Sequence, residues 1–212
     1  MKERNFIEFA RSVPVLTTKQ VAAQLGNAAY AKLYLHRMAK RGIVKRVARG
    51  FYTAHEDPVI YASHLRYPSY ISLWYAFQHH GATTQLPRVI EVMARTAGKA
   101  EGVEIFMSEH LWGYGPARYA GFQIFMADLE KAVIDAIGRM PLDDVGAAIA
   151  KCDPKKLEGY ALRFDAATMK KVGYVADGVG VSLEKLHERT FSDRNYVHMG
   201  ERIVKNRWKV VA

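Results

Sequence analysis

The stretch NAAYAKLYLHRMAKRGIVKRVARGFYT, residues 27–53, decides the fold of the amino-terminal quarter. Gly26-Asn27 is a tight-turn pair that closes one helix and opens the next. Ala31, Leu35 and Met38 lie three or four residues apart, which predicts a helix over about 28–41 with that stripe buried. Gly42 suits the left-handed position that ends such a helix. Two β-like runs follow, Ile43-Val44-Lys45-Arg46-Val47 and Gly50-Phe51-Tyr52-Thr53, joined by a turn at Ala48-Arg49-Gly50.

Working outward, Phe6, Ile7, Phe9, Ala10 and Val13 predict an amphipathic helix ending near Pro14. Thr17 or Thr18 caps a second helix through Val21, Ala22 and Leu25. Helix, helix, turn, helix and hairpin in some fifty residues is the order of a winged helix-turn-helix, with the third helix in the major groove and the hairpin as the wing. His55-Glu56-Asp57-Pro58 breaks the pattern and reads as a linker. The expected architecture is α+β: a winged helix-turn-helix at residues 1–55, then a mixed α/β domain with a small sheet at 56–212.

Charge gives this module a partner. Residues 1–55 hold eleven Lys and Arg against two acids, a net of +9 in a chain whose total is +10. Residues 9–55 contain no acid at all, whereas a merely solvated surface mixes both signs. Clustered cations of this kind gain affinity from counterion release on nucleic-acid phosphates. The candidate DNA-binding set is Asn27, Tyr30, Lys32, His36, Arg37, Lys40 and Arg41 on the third helix, with Lys45, Arg46 and Arg49 on the wing. Asn27, Tyr30, Lys32 and His36 lie early enough on the helix to meet base edges. Lys45, Arg46 and Arg49 would meet phosphate or the minor groove.

In the body, Val59, Ile60, Ala62 and Leu65 predict a short helix, and Pro68-Ser69 the start of a longer one ending at His79-His80-Gly81. Strands are expected at 89–93, 103–107 and 122–126, the first two separated by a hairpin turn over Gly98 to Gly102. A helix capped by Asp128 runs to Ile137, and further helices fall near 142–151, 155–162, 166–177 and 182–189. Ile203 to Val211 would form a final strand or a docking tail.

Several of these pieces resemble the AbiEi-type antitoxins, transcriptional regulators that accompany nucleotidyltransferase-like toxins in two-gene operons. The matching stretches are Arg49-Gly50-Phe51-Tyr52, Asp57-Pro58, Pro68-Ser69-Tyr70-Ile71-Ser72-Leu73 and His80-Gly81. Further on come Glu130-Lys131-Ala132-Val133-Ile134-Asp135 and Lys171-Val172-Gly173-Tyr174. The resemblance implies a bipartite protein whose winged domain binds inverted repeats in its own promoter as double-stranded DNA and represses it. It also implies a C-terminal domain that counters the cognate toxin. A homodimer on the DNA is expected if the operator is palindromic. It assigns no role to Glu130, Lys131 and Asp135, which read as a fold-stabilising helix, nor to residues 181–212.

Two other classes compete. A metal-dependent nuclease would gather Glu91, Glu104, Glu130, Lys131 and Asp135, but the two glutamates sit at solvent-facing strand positions and no phosphate loop is present. A ligand-responsive repressor would line a pocket with Tyr61, Tyr67, Tyr70, Trp74, Tyr75, Phe77, Trp112 and Tyr114, yet at helical spacing such aromatics are more often core. Adjacent His79 and His80 do not share a helix face. The single Cys152 allows neither an internal disulfide nor a multi-cysteine zinc site. No enzymatic activity, metal or cofactor is expected. The absence of any run near 18 apolar residues and of a signal peptide sets the expectation of a cytoplasmic protein without a membrane partner.

Overall fold

The computed structural model describes residues 3–199 and 206–211. The fold is α+β, built from helices and mixed sheets. Its contacts divide the chain into two compact units: Met1–Ile71 with Pro87–Met126, and Ser72–Leu86 with Ala127–Ala212. Residue 55 falls inside the first unit.

The first unit begins with α1 (Glu3–Ser12), β1 (Leu16–Thr17), α2 (Thr18–Leu25) and α3 (Ala28–Lys40). The hairpin β2 (Lys45–Ala48) and β3 (Phe51–Thr53) follows. β1 pairs antiparallel with β3, and β3 with β2, giving a three-stranded sheet in the order 1-3-2. Phe6, Ala10, Leu16, Val21, Ala31, Leu35, Met38 and Val44 form one core beneath the helices. The starts of α2 and α3 are written locally. Thr17 and Gln20 make a reciprocal capping box on α2. The Asn27 side chain accepts from the Tyr30 amide at the start of α3. Gly26, at φ 68°, takes the left-handed turn between them.

A short helix α4 (Pro58–Tyr61) and a 3-10 turn (Ala62–His64) lead into β4 (Ser69–Ile71). It belongs to a six-stranded sheet with β5 (Ile90–Ala94), β6 (Gly98–Ala100), β7 (Val103–Met107), β8 (Tyr114–Tyr119) and β9 (Phe122–Ala127), in the order 6-7-5-4-9-8. Two local expectations need correcting. Pro68-Ser69 opens a strand rather than a helix, because Ser69 to Ile71 pair with Val92 to Ala94 across the sheet. Gly98 to Gly102 is not a plain turn: Gly98–Ala100 is a strand antiparallel to β7, so β5 and β7 become parallel neighbours.

The second unit is mainly helical: α5 (Leu73–His79), α6 (Leu129–Ala136), α7 (Leu142–Ile149), α8 (Pro154–Ala161), α9 (Ala166–Gly178) and α10 (Glu184–Thr190). Every side chain of α6 is buried. Among them Lys131 pairs with Asp135, which also accepts from the Ser72 hydroxyl at 2.9 Å. Glu130 meets Lys156 at 3.0 Å and accepts from the Asp153 amide. Two short parallel strands, β10 (Val197–His198) and β11 (Val210–Val211), close the unit. Trp208 beside them is fully buried, its indole donating to Asp177 at 2.7 Å. Of the expected terminal strand, Ile203 to Lys205 lie outside the described residues, and among the described ones Val210–Val211 form a strand.

Candidate nucleic-acid interface

α3 turns Ala31, Tyr34, Leu35 and Met38 into the core. Its exposed side carries Ala29, Tyr30, Lys32, Leu33, His36, Arg37 and Lys40. Neither α2 nor α3 has an acid in its first turn, and Arg37 and Lys40 occupy the last turn of α3, where cations complement the helix dipole.

The hairpin brings further cations to the same side. Arg46 and Arg49 are exposed, and Arg49-Gly50 makes the tight reversal with Gly50 at φ 82°. Thr18 ties this reversal to α2, its amide donating to the Gly50 carbonyl at 3.0 Å. Between α2, α3 and the hairpin lies an open depression of about 680 Å³. Lys19, Lys32, Arg46 and Arg49 line it, with Thr17, Thr18 and Tyr52, and no acid contributes to its wall. Lys19 was not among the residues expected from the sequence. Its signal was the acid-free Thr17-Thr18-Lys19 start of α2, which places a cation beside a helix N-terminus.

The expected set is therefore not uniform. Lys32, Arg46 and Arg49 share the depression. Asn27 spends its side-chain carbonyl on capping α3. Arg41 is held by α1: its guanidinium grips both Glu3 oxygens at 2.6 Å. That hydrogen-bonded pair lowers the Glu3 carboxyl and raises Arg41. Lys45 turns toward the six-stranded sheet, meeting Glu56 at 3.0 Å and Glu101 at 3.4 Å. Its side chain is only 22% exposed, against the open surface of Arg46 and Arg49. Tyr30, Arg37 and Lys40 border a second, shallower recess with Arg41 and the ring of Tyr34.

The residues of the competing readings fall elsewhere. Glu91 and Glu104 face one another across β5 and β7, and Glu104 pairs with Lys99 at 3.1 Å. Glu130, Lys131 and Asp135 are buried in the core of the helical unit. Among the described residues no group of three or more His, Cys, Asp or Glu is placed to hold a metal ion. Tyr61, Tyr70 and Phe77 are core residues, while Tyr67 is 93% exposed. His80 bonds the Ala127 carbonyl at 2.8 Å, and burial depresses the His79 imidazole. Cys152 is buried, and that burial pushes its thiol up to about 12. Among the described residues no helix is long and apolar enough to cross a membrane.

Residues 6–55 match the family described as "Transcriptional regulator, AbiEi antitoxin", in line with the resemblance read from the sequence. The match runs from within α1 to just past β3 and takes in both sides of the basic depression. No curated protein matches the chain in sequence. Among solved structures, the chain is similar to the RV2827C protein from Mycobacterium tuberculosis. The TM-score is 0.60 at 14% identity, covering 92% of this chain and 85% of that one. At that identity the likeness is one of fold.

Proposed function

We propose that residues 1–55 are a winged helix-turn-helix that binds duplex DNA, with α3 in the major groove and the β2–β3 hairpin as its wing. The element order and the 1-3-2 sheet support the winged reading. The observation that carries DNA binding is the acid-free depression where Lys19, Lys32, Arg46 and Arg49 converge from three elements. Its cations suit phosphate oxygens, which position a protein on the duplex. His36, Arg37 and Lys40 extend the contact along α3, with Asn27 and Tyr30 at its start. Arg41 and Lys45 stand at the margin of the set, since each already faces a carboxylate.

The matched family joins transcriptional regulation to antitoxin action, and we extend both to this chain. The chain represses its own operon from inverted repeats, as a homodimer on the DNA, in the cytoplasm. Residues 56–212 form the regulatory and antitoxin part, whose partner is a nucleotidyltransferase-like toxin encoded beside it. The test has two arms. In a salt titration with the chain's own promoter, log affinity falls against log salt with a slope near −0.9 per phosphate neutralised. Co-expression rescues growth from the neighbouring toxin. A flat salt response refutes the DNA-binding half, and failure of rescue refutes the antitoxin half.

A further inference from the structure

The face of α3 directly opposite its buried stripe is partly apolar. With Ala31, Tyr34, Leu35 and Met38 turned inward, helical periodicity sets Ala29, Leu33, His36 and Lys40 on the outward line. Its N-terminal half is therefore Ala29 and Leu33. Leu33 is 45% exposed, although the core lies one residue away at Tyr34, which is 9% exposed. A single exposed leucine is ordinary on a protein surface. This one is set apart by its surroundings: Lys32, His36 and Lys40 flank it on the same exposed side of the helix, and α3 carries no acid at all. An apolar strip bordered by lysines and a histidine, with no acid on the helix, complements a surface that offers apolar groups between lines of negative charge. The major groove does so, since thymine projects its C5 methyl between the phosphate backbones.

The hydrogen-bonding alternatives at this end of the helix are few. Asn27 has committed its acceptor to the Tyr30 amide, which works against the bidentate grip on adenine that asparagine makes elsewhere. Recognition helices of this kind contact bases chiefly through their N-terminal residues, and here the outward line of that half is Ala29 and Leu33, with exposed Tyr30 and Lys32 beside it.

We propose that Leu33, assisted by Ala29, reads thymine methyl groups in the major groove. Lys32 and His36 supply the polar contacts beside it. This rests on the DNA-binding reading above and adds a base preference to it: the preferred site carries thymine opposite the N-terminal half of α3. Burying one methyl group there is worth about a fourfold gain in affinity per contacted thymine.

The experiment uses the full chain and a duplex that it selects from a random-sequence pool. The selected duplex is prepared with thymine and again with deoxyuridine, which differs only by the missing methyl. The unaltered protein is expected to bind the thymine duplex at least about fourfold more tightly. Leu33→Ala should bind both duplexes with nearly equal affinity while keeping the salt slope, because no phosphate contact is removed. Leu33→Met, which preserves apolar contact, should keep the preference. Equal binding of the two duplexes by the unaltered protein overturns the inference and leaves DNA binding standing. So does a Leu33→Ala variant that retains the full preference. If Leu33→Ala weakens both duplexes alike and light scattering shows a dimer become a monomer, Leu33 is an intersubunit contact and the inference also falls. If no duplex is selected at all, the DNA-binding reading itself has failed.

Discussion

The N-terminal module and the helical unit treat positive charge in opposite ways. In the helical unit cations are brought to acids. Lys131 meets Asp135, Lys156 meets Asp128 and Glu130, Lys170 meets Asp193, and Arg207 bridges Asp177 and Glu184. Two of these lysines, 131 and 170, are almost wholly buried, so their partners are conditions of the fold. In the N-terminal module the cations around the depression line an acid-free wall. The only acids of that module, Glu3 and Glu8, sit on α1 and pair with Arg41 and Arg4. The helical unit pairs its buried cations, whereas the cations around the depression face no acid within its wall. Substitutions of similar chemistry should therefore show up in stability in one region and in binding in the other.

The largest stability effect is expected at Asp135. Asp135→Ala removes the carboxylate that faces Lys131, whose ammonium is buried in α6 and whose pKa burial lowers against the pull of Asp135. Breaking one side of a buried pair costs about 3–5 kcal/mol. Chemical denaturation should show that loss. Lys131→Met combined with Asp135→Leu should recover most of it, since a buried pair replaced by apolar groups is often near neutral. A cost below about 1 kcal/mol for Asp135→Ala would mean that the pair is solvated, like an exposed one.

The mirror experiment removes charge from the depression. Lys32→Ala, Arg46→Ala and Arg49→Ala together should weaken DNA binding about 100-fold near physiological salt. Each lost phosphate contact should flatten the salt slope by about 0.9. The melting temperature should hardly change, because none of the three has a carboxylate partner among the ion pairs described. Removing three exposed cations of the helical unit, Lys155, Arg189 and Arg194, should leave the slope where it was. Arg41→Ala should weaken binding less than Lys32→Ala, because Arg41 is already held by Glu3. If both triple substitutions flatten the slope equally, the contrast between the regions disappears.

These contrasts were only partly legible in the sequence. The turn at Gly26-Asn27, the stripe of Ala31, Leu35 and Met38, and the hairpin around Gly50 are local signals, and the chain obeys them. What the sequence could not show was which cations are spent. Glu3 finds Arg41 from 38 residues away, and Glu101 finds Lys45 from 56. Such pairings follow from how elements pack, and no spacing rule encodes them. Ser69 to Ile71 became a strand for the same reason: neighbouring strands in the sheet overrode a local helix signal. Lys19, read alone, is one lysine on a short helix. It joins the depression only when the hairpin folds beside it.

A smaller effect is expected at Gly173. A Cβ there would lie 2.3 Å from the Trp208 ring, so Gly173→Ala must displace the indole or the helix. Overpacking of this kind costs about 1–3 kcal/mol. The change should appear as a shift in tryptophan emission and faster proteolysis of the C-terminal segment, with DNA affinity unchanged. Gly159 is the control: α8 leaves open space there, and Gly159→Ala should stabilise by about 0.5–1 kcal/mol. If Gly173→Ala proves as benign as Gly159→Ala, Trp208 does not pack against α9 in solution.

The smallest effect concerns the ion pair beside that indole. Burial pushes the Asp177 carboxyl up, but hydrogen bonds from Arg207 and Trp208 outweigh it and hold the group below the usual carboxylate range. A carboxyl lowered on folding stabilises the folded state above its unfolded value, about 3.9. That contribution is lost as pH falls through the still lower folded value. Acidification below about pH 4 should therefore loosen the Trp208 contact. Asp177→Asn should remove this acid-dependent step at a cost smaller than that of Gly173→Ala, since the Arg207 pair is partly exposed and such pairs contribute little. Tryptophan emission followed against pH in the two proteins checks both points. An acid transition that survives unchanged in Asp177→Asn would assign it to other carboxylates, such as Asp193 facing buried Lys170. The docking of the C-terminal segment would then rest on the fit of Trp208 over Gly173 rather than on charge, and the contrast between the two regions would narrow to their buried lysines.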